Sequence, residues 1–196
     1  MISKRAFLLG GIFLGVQILT LFRNYYSDYF LFFWFCDFAP MLFAFAFFTD
    51  NKHFAKGIIN VGLFAQMIYL SLFIYRLASG VTLYSIAPES TNLFYNVSSI
   101  ILHSSTFFAV LLTYRTKPTR KTLLYSLLIL FGMYITTLLF TNPEYGINYV
   151  YNSRALLPFT IPYYVYLWIP ITFAVVVLPT QLIQYWIYKI FNSRKN

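Results

Sequence analysis

Two residues of this chain, Cys36 and His103, are of the types that carry out nucleophilic catalysis, and both lie inside apolar stretches. A thiol buried in apolar surroundings is inert, but an adjacent imidazole can convert it to a thiolate that attacks acyl carbonyls. The histidine then serves as base for the attack and as acid for the leaving group. The pair predicts acyl transfer if the fold brings the two side chains together.

Other polar residues accompany the pair. Asp37 follows Cys36 but lies about 100° round a helix from it, so we expect it to orient a neighbour or to form hydrogen bonds across helices. A stripe on one helix face, with residues spaced four, three, four and three apart, comprises Asn92, Asn96, Ser99, His103 and Thr106. Ionisable and polar side chains inside a membrane usually face the bundle interior. We therefore expect this stripe to point inward.

The same residues have a second, non-catalytic interpretation. A lone cysteine in a membrane helix is in most cases a small hydrophobe, and Asp37 can serve structure alone by pairing with Asn or Tyr. Polar side chains also join membrane helices, so a lipid- or peptide-binding subunit is the alternative to an enzyme. A channel or transporter is least favoured, because the sequence has no charge ring and no paired broken helices.

The elements that must position these residues are membrane helices. Of the 196 residues, 60% are hydrophobic and 10% are charged, whereas soluble domains carry about a quarter charged residues. The composition predicts an all-α, polytopic membrane protein forming a single transmembrane domain over residues 1–196. Runs of roughly 20 apolar residues, each long enough to cross the bilayer, lie at 6–22, 30–49, 57–78, 93–114, 122–141 and 162–188.

The basic residues orient these six predicted spans. With the amino terminus in the cytoplasm, the outer segments contain Arg23, Arg76 and Arg154. The cytoplasmic segments then contain Lys4, Arg5, Lys52, Lys56, Arg115, Lys117, Arg120, Lys121, Lys189, Arg194 and Lys195. This split obeys the positive-inside rule and predicts that both termini are cytoplasmic. The net charge of +9 thus indicates topology rather than nucleic-acid binding.

The loop after the fifth span adds a motif. It contains Asn-Pro-x-x-Gly-x-Asn-Tyr-x-Tyr at 142–151 and Pro-Tyr-Tyr at 162–164. With the Cys-Asp-x-Ala-Pro run at 36–40 and the histidine of the fourth span, this pattern resembles the bacterial YwaF-like integral membrane proteins. These are similar to eukaryotic transmembrane acyltransferases that remodel ether phospholipids, and more remotely to androgen-induced intramembrane hydrolases of fatty-acid esters, which carry Thr in place of Cys36.

The resemblance implies a lipid acyltransferase or hydrolase of the bacterial plasma membrane, with Cys36 as nucleophile and His103 as its partner. Asn148 would match the outer-loop Asn of the family and donate a hydrogen bond to an oxyanion or a lipid carbonyl. Tyr149 and Tyr151 belong to the same motif. The expected substrate is a phospholipid or a fatty-acyl ester, and the oligomeric state stays open.

We expect neither a cofactor nor a metal. A structural zinc site needs four ligands, and one cysteine with one deep histidine falls short of that number. The predicted topology also places His53 and His103 on opposite sides of the membrane, so the two cannot share a metal ion.

Overall fold

The computed structural model describes residues 3–25, 29–80, 93–153 and 159–193, and within these ranges the chain forms helices and turns without a strand. The α-helices are α1 (Lys4–Tyr25), α2 (Phe35–Phe48), α3 (Lys52–Ser79), α4 (Leu93–Thr113), α5 (Arg120–Phe140), α6 (Tyr164–Thr172) and α7 (Leu178–Ser193). A π-helical turn, Phe173–Val177, joins α6 and α7 into one helical rod. Short 3-10 turns occupy Tyr29–Phe33, Pro143–Tyr145 and Ile147–Tyr149.

Five of the described helical stretches are long and apolar enough to cross a membrane: α1, α3, α4, α5 and the 30-residue rod from Tyr164 to Ser193. Their outward faces carry large apolar side chains, such as Leu139 (69% exposed) and Leu111 (67% exposed). Such faces suit a hydrocarbon solvent, which makes the all-helical architecture that of an integral membrane protein.

The second predicted span differs from the sequence expectation. A continuous helix over 30–49 was expected, but α2 begins only at Phe35 and has 14 residues. At 1.5 Å per residue it is about 21 Å long, short of the roughly 30 Å hydrocarbon core. Cys36 is therefore the second residue of α2 and lies in its first turn.

Prolines disturb two helices locally. Pro40 lies inside α2 and has no N–H to donate. Beside it, the backbone N–H of Met41 donates across to Gln17 Oε1 of α1 at 3.0 Å. Pro179 in α7 cannot donate to the carbonyl of Val175, and that carbonyl lies in the π-helical turn. Such π turns are a usual way for a helix to accommodate an irregular hydrogen-bond ladder.

The bundle packs α1 against α2, and it packs α3 against both α4 and α5. Aromatic rings fill the first contact: the Phe13 ring of α1 stacks on Phe47 of α2, with centroids 5.2 Å apart. The α3–α5 contact depends on Gly57, since a Cβ there would lie 2.8 Å from Tyr125 Cβ and 3.2 Å from the Ser126 backbone nitrogen. These contacts bring polar side chains of neighbouring helices together in the interior.

Candidate functional site

A buried ion pair joins the end of α1 to the start of α2. The Arg23 guanidinium donates to the Asp37 carboxylate, and the two side chains are 4% and 2% exposed. An ion pair out of water is costly unless its remaining hydrogen-bonding groups are also satisfied. The contact therefore defines the centre of a polar cluster rather than an incidental surface pair.

Further contacts of Arg23 extend this cluster to α4. Its Nε and Nη2 donate to Asn24 Oδ1 at 3.0 and 2.8 Å, and its Nη1 donates to Ser99 Oγ at 3.2 Å. The guanidinium carbon also lies 5.5 Å from the centroid of the Tyr95 ring, a cation–π arrangement. Arg23, which the sequence placed in the outer segment after the first span, is thus a buried residue at the end of α1.

Cys36 lies beside this ion pair. Its half-buried thiol is free, and Arg23, Tyr69 and Tyr149 are all close enough to interact with it electrostatically. As the second residue of α2, Cys36 also lies at a helix N-terminus, which carries partial positive charge. Arg23 and this helix end favour negative charge on the sulfur, whereas burial and the neighbouring Asp37 carboxylate oppose it.

His103 is 3% exposed and packs on Tyr69, with ring centroids 3.8 Å apart. Its Nδ1 has no hydrogen-bond partner among the residues that the structure describes, so that nitrogen does not contact the Cys36 thiol. Tyr69 interacts with both groups: it stacks on the imidazole and interacts electrostatically with the thiol. The cluster thus contains both predicted catalytic residues, but no hydrogen bond joins His103 Nδ1 to the Cys36 thiol.

The polar stripe of α4 faces inward, as its spacing predicts: Ser99, His103 and Thr106 are all buried. Thr106 Oγ1 donates to Gln66 Oε1 of α3 at 2.6 Å. Asn96, nearer the start of the helix, is half-buried and accepts a hydrogen bond from Arg76 Nη2 at 3.3 Å. Asn92 lies outside the described residues.

Asn148 holds the start of α2 in place. Its Oδ1 accepts from the Phe35 backbone N–H at 2.8 Å, and its Nδ2 donates to the Phe33 carbonyl at 2.9 Å and to Thr137 Oγ1 at 3.3 Å. Because both Nδ2 hydrogens are engaged, the side chain positions α2 and has no donor left for a substrate oxyanion. This replaces the role inferred from the resemblance.

The backbone conformation around Asn148 explains the residue types of its motif. Gly146 (φ 59°) and Asn148 (φ 50°) adopt the left-handed conformation, which Gly and Asn tolerate better than other residues. Tyr149 has the same conformation (φ 56°), and its ring meets Trp34 edge to face at 5.2 Å. Burial raises the pKa of the Tyr149 phenol. Tyr151 is half-buried and packs against the main core.

An apolar groove of about 280 Å³ lies between α1 and α4, the helices that carry Arg23 and His103. Its walls include Val16, Ser104 and Phe108. The groove and the polar cluster thus share two helices, an arrangement that suits a ligand with a polar head and an apolar tail.

Within the described ranges, no group of three or more His, Cys, Asp and Glu side chains comes together to hold a metal ion. No protein-family model, no curated protein and no solved structure matches the chain.

Proposed function

We propose that this chain is an intramembrane enzyme that transfers or hydrolyses the acyl group of a phospholipid or fatty-acyl ester. One observation carries the proposal: Cys36, Arg23, Asp37 and the Tyr69–His103 stack belong to one buried polar cluster in an otherwise apolar bundle. Ionisable groups inside a membrane are costly, and they mark function by default. The apolar groove between α1 and α4, two helices that contribute to the cluster, suits an acyl chain.

The proposed reaction begins when His103 Nδ1 removes the thiol proton of Cys36. The thiolate attacks the ester carbonyl carbon, the carbon–oxygen bond to the leaving alcohol breaks, and His103 returns the proton to that oxygen. A hydroxyl or water then attacks the resulting thioester with His103 again acting as base, which releases the acyl product and restores the thiol.

The protein's contribution to this reaction is electrostatic and conformational. Arg23 and the N-terminus of α2 offset part of the cost that burial and Asp37 impose on negative charge at the sulfur. Because Nδ1 does not contact the thiol at rest, the imidazole or the thiol must move when substrate binds. Catalytic hydrogen bonds often form only in the substrate complex, so the resting separation is compatible with the reaction.

The proposal includes a topology and a family. Six crossings are proposed, with α2 and the turn Tyr29–Phe33 forming the second, and with both termini in the cytoplasm of a bacterial cell. Two of the basic residues counted for topology, Lys56 and Arg23, are buried; without them the split is ten against two, which still supports this orientation. Membership of the YwaF-like family is proposed from the motif at 142–151.

The test measures release and transfer of a labelled acyl chain from phospholipid in proteoliposomes. Cys36→Ala, Cys36→Ser and His103→Ala are expected to abolish both activities while leaving the fold intact. The chain contains two histidines, so His53→Ala is the matched control and should retain activity. Full activity in Cys36→Ala would refute the proposal.

A non-catalytic lipid- or peptide-binding subunit is the second candidate. The observation that favours it is that Arg23 and Asp37 neutralise each other while His103 Nδ1 stays apart from Cys36. Under this alternative the thiol is unreactive, and substitutions at Ser99 or His103 reduce stability in detergent without affecting any acyl chemistry.

A further inference from the structure

A second polar cluster lies where α3 and α5 begin, separate from the Cys36 site. It joins three helices through side chains of α3, α5 and α7: Lys56, Asn60, Thr122, Ser126, Gln181 and Gln184. All of these except the half-buried Gln181 are buried.

Lys56 is the charged member of this cluster and is 2% exposed. Its Nζ donates to Gln184 Oε1 at 3.0 Å, a neutral acceptor. The ion pairs formed by the described residues are Arg23–Asp37 and Lys52–Asp50, so no described carboxylate compensates Lys56. A buried cation without a counter-charge is costly, which distinguishes Lys56 from the buried arginine of the first cluster.

The surrounding amides orient the ammonium but cannot neutralise it. Gln184 Nε2 donates to Asn60 Oδ1 at 2.6 Å and to the Lys56 carbonyl at 3.0 Å. Asn60 Nδ2 in turn donates to Ser126 Oγ at 3.1 Å and to Gln181 Oε1 at 2.8 Å. Both amide nitrogens are therefore fully engaged, and the Gln184 oxygen is held toward Lys56.

Nearby charge has the same sign as Lys56. Lys56 and Lys121 both interact electrostatically with the His53 imidazole. His53 Nδ1 lies 3.3 Å from Thr122 Oγ1, which brings the first turns of α3 and α5 together. Both helices present their partially positive N-termini here, so the electrostatic potential at this end of the bundle attracts anions.

We infer that Lys56 is the centre of an anion site that takes a phosphate group, either from a lipid headgroup or as a free phosphate. Lysine binds phosphate as a point charge. Phosphate oxygens can accept hydrogen bonds from the Lys56 ammonium hydrogens that do not bond to Gln184. Lys56 is the fifth residue of α3, about 6 Å from its start at 1.5 Å per residue. Because the four-carbon side chain is flexible, the Lys56 ammonium can turn from Gln184 toward the end of the bundle while the backbone stays in place.

The test measures the thermal stability of the purified full chain in uncharged detergent as phosphatidylglycerol, phosphatidylcholine or inorganic phosphate is added. Phosphatidylglycerol should raise the melting temperature, while zwitterionic phosphatidylcholine should not. A shift with phosphatidylglycerol alone identifies a lipid headgroup site, and a shift with inorganic phosphate as well identifies a site for free phosphate. The absence of a shift with either anion would overturn the inference.

Two variants assign the site to Lys56. Lys56→Met should raise the half-saturating anion concentration at least tenfold, whereas the matched control Lys52→Met, at an exposed lysine, should behave as wild type. If Lys56→Met does not fold, Gln184→Glu supplies a carboxylate beside Lys56 and should abolish the shift. An unchanged response in either folded variant would contradict the assignment.

This inference does not depend on the proposed acyl chemistry. Cys36→Ala should keep the anion response in full, and loss of acyl transfer in that variant would leave the Lys56 site untouched. The two proposals can therefore fail separately.

Discussion

Removing one partner of the Arg23–Asp37 pair should destabilise the protein far more than removing both. Arg23→Met leaves the Asp37 carboxylate buried and also removes the donors to Asn24 and Ser99. Breaking a buried ion pair in this way costs about 3–5 kcal/mol, and Asp37→Leu should cost a similar amount. Replacing a buried pair by apolar residues is often close to neutral, so the double variant should lose at least about 3 kcal/mol less unfolding free energy than the sum of the two single losses.

The assay is reversible unfolding in mixed micelles of mild detergent and dodecyl sulfate, followed by circular dichroism. The matched control is the cycle on Lys52 and Asp50, whose charged groups lie 4.0 Å apart and are 53% and 46% exposed. Such an exposed pair should show a coupling energy below about 1 kcal/mol. If the losses from Arg23→Met and Asp37→Leu simply add, the ion pair does not organise the cluster and this reasoning is refuted.

Three further substitutions test how the helices are positioned. Asn148→Ala should cost about 1–2 kcal/mol of unfolding free energy and increase thiol labelling of Cys36, because α2 loses its terminal hydrogen bonds. Gly57→Ala should cost about 1–3 kcal/mol through overpacking against α5, whereas Gly132→Ala, at a position with open space around it, should be neutral by the same unfolding measurement. Thr106→Val should cost about 0.6 kcal/mol, the average for a polar contact between membrane helices, and a loss below about 0.2 kcal/mol would mean that its hydrogen bond to α3 contributes little.

Hydrophobic runs predict the long helices well, because span length and composition are local properties of the sequence. They do not predict the break before Phe35. That break depends on Asn148, which lies more than a hundred residues away in sequence and holds the first turn of α2 by tertiary hydrogen bonds.

The spacing of the α4 stripe correctly predicts that Ser99, His103 and Thr106 face inward. Counting basic residues places Arg23 and Lys56 in the segments that flank the spans, whereas both are buried helical residues. Each lies at the end of an apolar run, where hydropathy alone cannot distinguish a solvated charge from one that turns inward. For Arg23 a signal did exist: Asp37 required a partner inside the membrane, and Arg23 is the basic residue at the adjacent helix end.

The relation between Cys36 and His103 could not be derived from helical periodicity. Periodicity places each residue on a face of its own helix, but the distance between the side chains depends on how α2 and α4 rotate against one another. In the structure Tyr69 of α3 stacks on the imidazole of His103. No feature of the sequence around Tyr69 or His103 predicts that contact.

The most direct test of the proposed chemistry is to trap the acyl intermediate. The purified protein is incubated briefly with a phospholipid and examined by intact-mass and peptide mass spectrometry, with hydroxylamine to cleave thioesters. The proposal predicts one hydroxylamine-sensitive acyl group on the peptide containing Cys36, and its absence in His103→Ala. Acyl transfer that proceeds while Cys36 stays unmodified would contradict it.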